Sequence, residues 1–216
     1  KGAEYIHWDE KRKAYQNQTG DIRRGVGMAL FSYKTGVWPI SLEIAGARLS
    51  LNQDGSVQLQ VGATEIGQGA DTVFSQMAAE TLHMDISRVH IVTQQDTDVT
   101  PFDTGAYASR QSFVTGTAVK ECAQQLKQKI LEYAKTLVPG NVDRLELEDG
   151  YILADGKPAI SLEDLAMESY YSLSNSSVLT AEVSRQVKKN TVASGCCFAE
   201  VEVDMKLGKI KVLDIV

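Results

Sequence analysis

Apolar and polar positions change period several times along the chain, and each change marks an element. Leu42 to Leu51 (LEIAGARLSL) alternates, and Ser56 to Val61 (SVQLQV) alternates again. A period of two is that of a strand with one buried face. Between them Asn52-Gln-Asp-Gly55 reads as a hairpin turn, so the two strands pair antiparallel. Gly25 to Tyr33 (GVGMALFSY) is a compact apolar run that predicts an earlier strand. From Ala70 to Met84 the period lengthens, and Val73, Met77, Ala78 and Leu82 share one helical face. A longer helix is predicted from Gln111 to near Leu137, with Val119, Cys122, Ala123, Leu126, Ile130 and Tyr133 as its stripe and Pro139-Gly140 as its stop. Ala3 to Gln18, with Tyr5, Ile6, Trp8 and Tyr15, predicts a partly buried helix closed by Thr19-Gly20. Short strands are expected at Val89–Thr93, Arg144–Leu147 and Tyr151–Ala154, and a helix capped by Ser161 follows. Two closing strands, Ala193–Val203 and Lys209–Ile215, flank a turn at Asp204–Gly208.

Strands and helices are mixed in this order, without strict strand–helix alternation. That favours an α+β fold of mixed, largely antiparallel sheets with helices packed on one face. The 216 residues suffice for one large domain or two small ones; 1–216 is read as part of a single larger domain, with a sub-boundary near 139–142. Both ends read as truncated: Lys1 is no initiator methionine, and KIKVLDIV stops inside a predicted strand.

Composition narrows the function classes. A net charge of -6 argues against a nucleic-acid backbone as partner, because that needs a basic face. No apolar run approaches the roughly 20 residues of a membrane span, so no membrane partner is expected. Three cysteines, Cys122, Cys196 and Cys197, have no metal spacing and suggest no disulfide framework, so a reducing, cytoplasmic setting is expected.

Two glycine-rich helix starts carry the candidate chemistry. The first is Gly62-Ala-Thr-Glu-Ile-Gly-Gln-Gly-Ala-Asp-Thr72. Glycines between a strand and a helix serve either a tight turn or the close approach of an anion to backbone N–H groups. Gln68 can both donate to and accept from a heterocycle edge. Glu65 and Asp71 are read as bonding turn N–H groups or solvent. The second start is Gly105-Ala-Tyr-Ala-Ser-Arg-Gln-Ser112. There Ser109 is either an N-cap or a phosphate ligand, with Arg110 supplying the countercharge. Two such starts could converge on one elongated ligand, a polar ring at one end and phosphates at the other. The long loop Gln94–Arg110 is the kind that often carries function. Its Asp96, Asp98 and Asp103 lack the calcium-loop spacing and are read as solvated. Trp38, in Gly36-Val-Trp-Pro39, either lines a pocket or closes the core. Cys196-Cys197, after Gly195, are read as small packing residues.

Several blocks together resemble one family: RRGVGMALFSYKTGVWP, EIAGARLSLNQDGSV, GATEIGQGADTVFSQMAAET, QQDTDVTPFDTGAYASRQS and FAEVEVDMKLGKIKVLDIV. The chain resembles the molybdenum-binding subunits of bacterial xanthine dehydrogenases, within the xanthine oxidase and aldehyde oxidase family of molybdenum hydroxylases. The resemblance covers nearly the whole chain and is weakest from about Val138 to Asn190. It implies a molybdenum–molybdopterin cofactor, in a dinucleotide form, with the metal held by the pterin dithiolene and no protein metal ligand. It also implies iron–sulfur clusters and FAD on other subunits or segments, and a purine substrate, xanthine or hypoxanthine. An aldehyde or another N-heterocycle as substrate, or a non-catalytic α+β module, are the alternatives. Gly67 and Gln68 fall where the family approaches the pterin, and Ala108, Ser109, Arg110 and Gln111 where its second cofactor loop lies. Val37 and Trp38 fall near the aromatic flank of the substrate. The family's catalytic glutamate lies in a Gly-Glu motif beyond this chain, so no catalytic residue is expected here. The fragment alone is expected to be inactive and cofactor-free.

Overall fold

A computed structural model describes residues 1–140 and 142–216. The expected sub-boundary at 139–142 includes Asn141, which lies outside the described residues. The chain forms two compact units, one from residues 1–34 and 192–216, the other from residues 35–191.

The first unit holds α1 (Gly2–Tyr5), α2 (Trp8–Ala14), and a three-stranded sheet in the order β1 (Ile22–Thr35), β9 (Thr191–Asp204), β10 (Lys209–Ile215). The single helix expected over 3–18 is broken at His7, whose φ of 56° is left-handed. The break sends Ile6 fully inward, while Trp8 packs edge-on against Phe198 at 5.5 Å. Helices of 4 and 7 residues cover only the part of the sheet around Phe198. Met28 and Leu30 on one face of β1, and Phe31 and Tyr33 on the other, are exposed. Cys196 and Cys197, read from sequence as packing residues, are exposed on β9. It is the missing side chain of Gly195 that serves packing, since a Cβ there would strike the Phe31 ring.

The second unit carries the main hydrophobic core. Its central sheet runs β4 (Val89–Ile91), β3 (Val57–Val61), β2 (Ile44–Leu51), β8 (Thr180–Gln186). The pairs β2·β3 and β2·β8 are antiparallel and β3·β4 is parallel. Alternation on β2 works as the sequence implies: Ala45, Ala47, Leu49 and Leu51 are fully buried. The turn between β2 and β3 closes through Gly55 N–H to the Asn52 carbonyl at 3.0 Å, and Gly55 alone takes a positive φ there.

Helices α3 (Ala70–Leu82) and α4 (Gln111–Leu137) pack on this sheet and on each other. Along α4 the residues Val119, Cys122, Ala123, Leu126 and Ile130 are fully buried, at spacings of three and four. Gly116 lets Met77 of α3 approach, because a Cβ would lie 2.7 Å from its sulfur. The helix stops at Val138, which is extended (φ -83°, ψ 116°) as a residue before proline prefers. A small antiparallel meander, β5 (Leu145–Glu148), β6 (Tyr151–Ala154), β7 (Lys157–Ser161), leads into α5 (Leu162–Tyr171). Ser161 caps α5, its hydroxyl accepting from Asp164 N–H at 3.0 Å. The fold is thus α+β with largely antiparallel sheets, as expected.

Candidate functional site

The two glycine-rich corners meet. Gln68, ahead of α3, donates from Nε2 to Oε1 of Gln111 in the first turn of α4. Both amide groups also donate to the Thr64 carbonyl, Gln68 at 3.0 Å and Gln111 at 3.1 Å. Beside this junction lies a cleft of about 370 Å³ lined by Ile66, Gln68 and residues 106–112. The structure therefore gathers Gln68, Ala108, Ser109, Arg110 and Gln111 around one cavity.

The glycines of the first corner have separate jobs. Gly62 is a packing residue: a Cβ would collide with the Pro101 carbonyl and come within 2.9 Å of Asp103 N. Gly67 (φ 97°) and Gly69 (φ 81°) make the turn, and nothing lies within 4 Å of where their side chains would stand. Their amides are claimed by the chain itself. Glu65 Oε1 accepts from Gly67 N–H at 2.7 Å and Gly69 N–H at 3.0 Å, and Oε2 accepts from Asp71 N–H at 3.2 Å. These amides, Gly69 foremost, hold the Glu65 carboxyl below its usual range. Asp71 moves the other way: burial first, and then Glu65, push its carboxyl up, and its Oδ1 has no hydrogen-bond partner. The start of α3 is thus already negative, and it repels a further anion.

The start of α4 differs. Ser109 is not its N-cap. Arg110 holds that position, and no side chain caps the helix among the described residues. Ala108 (φ 48°) and Ser109 (φ 51°) are both left-handed, which turns the chain sharply into the helix. Ser109 is exposed on the cleft, and the Ala108 carbonyl accepts from Gly36 N–H at 2.8 Å.

Arg110 corrects the expected countercharge role. Its side chain is fully buried, and its guanidinium is spent inside the protein. Nε donates to Glu43 Oε2 at 2.6 Å, Nη1 to Asp103 Oδ1 at 2.5 Å and the Gly105 carbonyl at 2.9 Å, and Nη2 to the Ile44 carbonyl at 2.8 Å. Burial alone would lower this guanidinium's pKa, but Glu43 and Asp103 hold it above its ordinary value. A side chain so occupied contributes shape to the cleft rather than charge to a ligand. Asp103, read as solvated, has a fully buried side chain that also accepts from Gly105 N–H and the Thr115 hydroxyl. Glu43 was missed, although its odd number puts it in phase with the buried face of β2. A carboxylate on an inward phase signals a buried cationic partner.

Val37 and Trp38 do not line the cleft, but they are tied to its wall. Val37 N–H donates to Glu43 Oε1 at 2.6 Å, and the Trp38 carbonyl accepts from Asn190 Nδ2. The Trp38–Pro39 peptide is cis. Among the described residues no cluster of histidine, cysteine or carboxylate side chains could hold a metal. No carboxylate or histidine lines the cleft among the described residues.

The model of the molybdopterin cofactor-binding domain matches residues 1–216. The xanthine dehydrogenase molybdenum-binding subunit of Escherichia coli O157:H7 is 47% identical over 215 residues, covering 98% of this chain and 29% of that protein. CO dehydrogenase from Oligotropha carboxidovorans superposes with a TM-score of 0.80 at 22% identity, over 99% of this chain and 29% of that one. Quinoline 2-oxidoreductase from Pseudomonas putida 86 does so with a TM-score of 0.75 at 20% identity, over 99% of this chain and 29% of that one. These two likenesses speak to the fold alone, and the chain spans less than a third of each of these relatives. With its whole length matched by that model, the chain belongs to the molybdopterin cofactor-binding domain family.

Proposed function

We propose that this chain forms one wall of the molybdopterin cradle in a molybdenum hydroxylase of the xanthine dehydrogenase type, acting on purines. The observation that carries this reading is the Gln68–Gln111 contact, which joins the two corners beside one cleft. The residues fit such a group in kind. Bare backbone stands at Gly67 and Gly69, small residues at Ala106, Ala108 and Ser109 leave room, and polar groups converge from both corners. The charges of the two corners also differ. Glu65 makes the α3 start suited to a neutral ring, whereas the uncapped α4 start suits a phosphate. We therefore place the pterin ring at Gln68 and its phosphate toward Ser109, Gln111 and Ser112.

When bound, the group supplies the two-electron redox chemistry of carbon hydroxylation. This chain's share is to orient and to exclude water. Gln68 shapes one end: its Nε2 is spent on Thr64 and Gln111, and its Oε1, held by Ile66 N–H, keeps one lone pair for the ring. Gln111, 7% exposed, backs that amide from α4. The general base is assigned to the longer protein outside this chain, and the iron–sulfur and flavin electron acceptors to other subunits or segments.

The test uses the full-length parent protein. Gln68→Ala should lower molybdenum and pterin content at least fivefold, read by metal analysis and by fluorescence of the oxidised pterin. Parent protein purified from molybdate-fed cells without any pterin would overturn the proposal. Turnover of xanthine and hypoxanthine, set against aldehydes, decides the substrate class.

A further inference from the structure

We infer that Glu43 is the positioning residue that locks the Val37–Trp38 turn to the Ala108–Ser109 corner, so that the two move as one body. Its two carboxylate oxygens are divided between them. Oε1 accepts from Val37 N–H at 2.6 Å, and Oε2 accepts from Arg110 Nε at 2.6 Å. Arg110 then passes the constraint on. It holds Asp103 and the Gly105 carbonyl on one side and the Ile44 carbonyl on the other. A backbone bond, Gly36 N–H to the Ala108 carbonyl at 2.8 Å, closes the circuit.

Gly36 shows how tightly the circuit is drawn. At φ +82° it has a conformation that favours glycine, and a Cβ would stand 3.3 Å from Glu43 Oε1 and 3.2 Å from Asn190 Oδ1. The Glu43 side chain is 1% exposed and that of Arg110 0%, so water cannot stand in for a lost partner. One buried carboxylate therefore specifies two loops far apart in sequence. Within the reading of the cleft as a cofactor cradle, this coupling sets the substrate-side turn at a fixed offset from the cofactor-side loop. Such an offset is what positions reacting atoms. It also explains why an arginine beside the cleft is turned away from it.

Glu43→Gln keeps the shape but leaves one oxygen for two donors. Hydrogen exchange of the full chain, followed by mass spectrometry under conditions where the variants stay folded, should show at least tenfold faster exchange in both 35–41 and 104–110. In a Trp8→Phe background, acrylamide quenching of Trp38 should rise at least twofold. Leu126→Ala, a fully buried change in α4, serves as the control. It should leave both segments within twofold of wild type and Trp38 quenching unchanged. Exchange that rises in only one segment, or in neither, overturns the coupling, as does equal acceleration by Leu126→Ala. Should Glu43→Gln not fold, Arg110→Lys keeps the charge, removes the fork and must give the same two-segment signature. Pterin content of the wild-type parent is measured separately. A pterin-free parent refutes the cofactor reading and leaves the coupling standing.

Discussion

Glu65 and Asp71 sit at the same helix start and titrate in opposite senses, so their effects on stability can be separated. Glu65 accepts three backbone N–H bonds, which hold its folded pKa below the ordinary 4.5. Its contribution is fully present above the unfolded pKa and is lost as pH falls through the depressed folded value. Asp71 is raised above 3.8 by burial and by Glu65, and its Oδ1 is unpartnered. Its ionised form is therefore a cost above the folded pKa, and the cost disappears as pH falls below the unfolded one. Asp71→Asn should raise Tm at pH 7 by about 1–3 °C, and the gain should vanish below the ordinary aspartate pKa. Thermal scans from pH 3 to pH 8 check this. A variant less stable than wild type at pH 7 would show that Asp71 has a favourable partner instead.

At the scale of elements, the cleft depends on how closely the loop at 101–103 approaches the central sheet. Two glycines permit that approach. Gly46 on β2 would place a Cβ 2.7 Å from Pro101 Cβ, and Gly62 after β3 would drive one into the Pro101 carbonyl. The loop joins the sheet through Gly46 N–H to the Phe102 carbonyl at 2.7 Å and a bridge between Ala45 and Asp103. This seats Asp103, which in turn seats Arg110. Gly62→Ala should cost about 1–3 kcal/mol or more, because the obstacle is backbone and cannot rotate away. Urea unfolding with an unchanged m-value measures it, and a neutral result would mean that the loop has room to retreat. The sequence revealed the periodic elements well: β2, β3, α3 and α4 each bury a face whose spacing is visible in the chain. It was silent where burial is sparse. In β8 only Ala181 and Val183 are buried, too few to stand out from a polar stretch, and β7 is an edge strand containing Pro158. The candidate site was legible as two glycine-rich helix starts. Its electrostatics were not, because whether Arg110 faces a ligand or a buried carboxylate depends on Glu43, 67 positions away.

For the whole molecule, the division into units makes a claim about folding. The unit of residues 35–191 is one continuous segment, whereas the other is assembled from both ends of the chain. The large core cluster, from Ala45 to Val183, lies wholly inside 35–191, and so do the cleft and the ion cluster beside it. A segment of that size with its own core buries enough apolar surface to fold by itself. The two tryptophans divide between the units, Trp8 in the first and Trp38 in the second. Residues 35–191 expressed alone should therefore unfold cooperatively and keep the Trp38 emission maximum of the full chain in a Trp8→Phe background. Trp38 reports directly on the turn held by Glu43, so the same spectrum tests whether the ion cluster forms without the other unit. Broad, non-cooperative unfolding of 35–191, or a Trp38 emission shifted to that of a solvated indole, would mean that the core needs the terminal segments to close. The wall of the cleft could then no longer be treated as a self-contained scaffold.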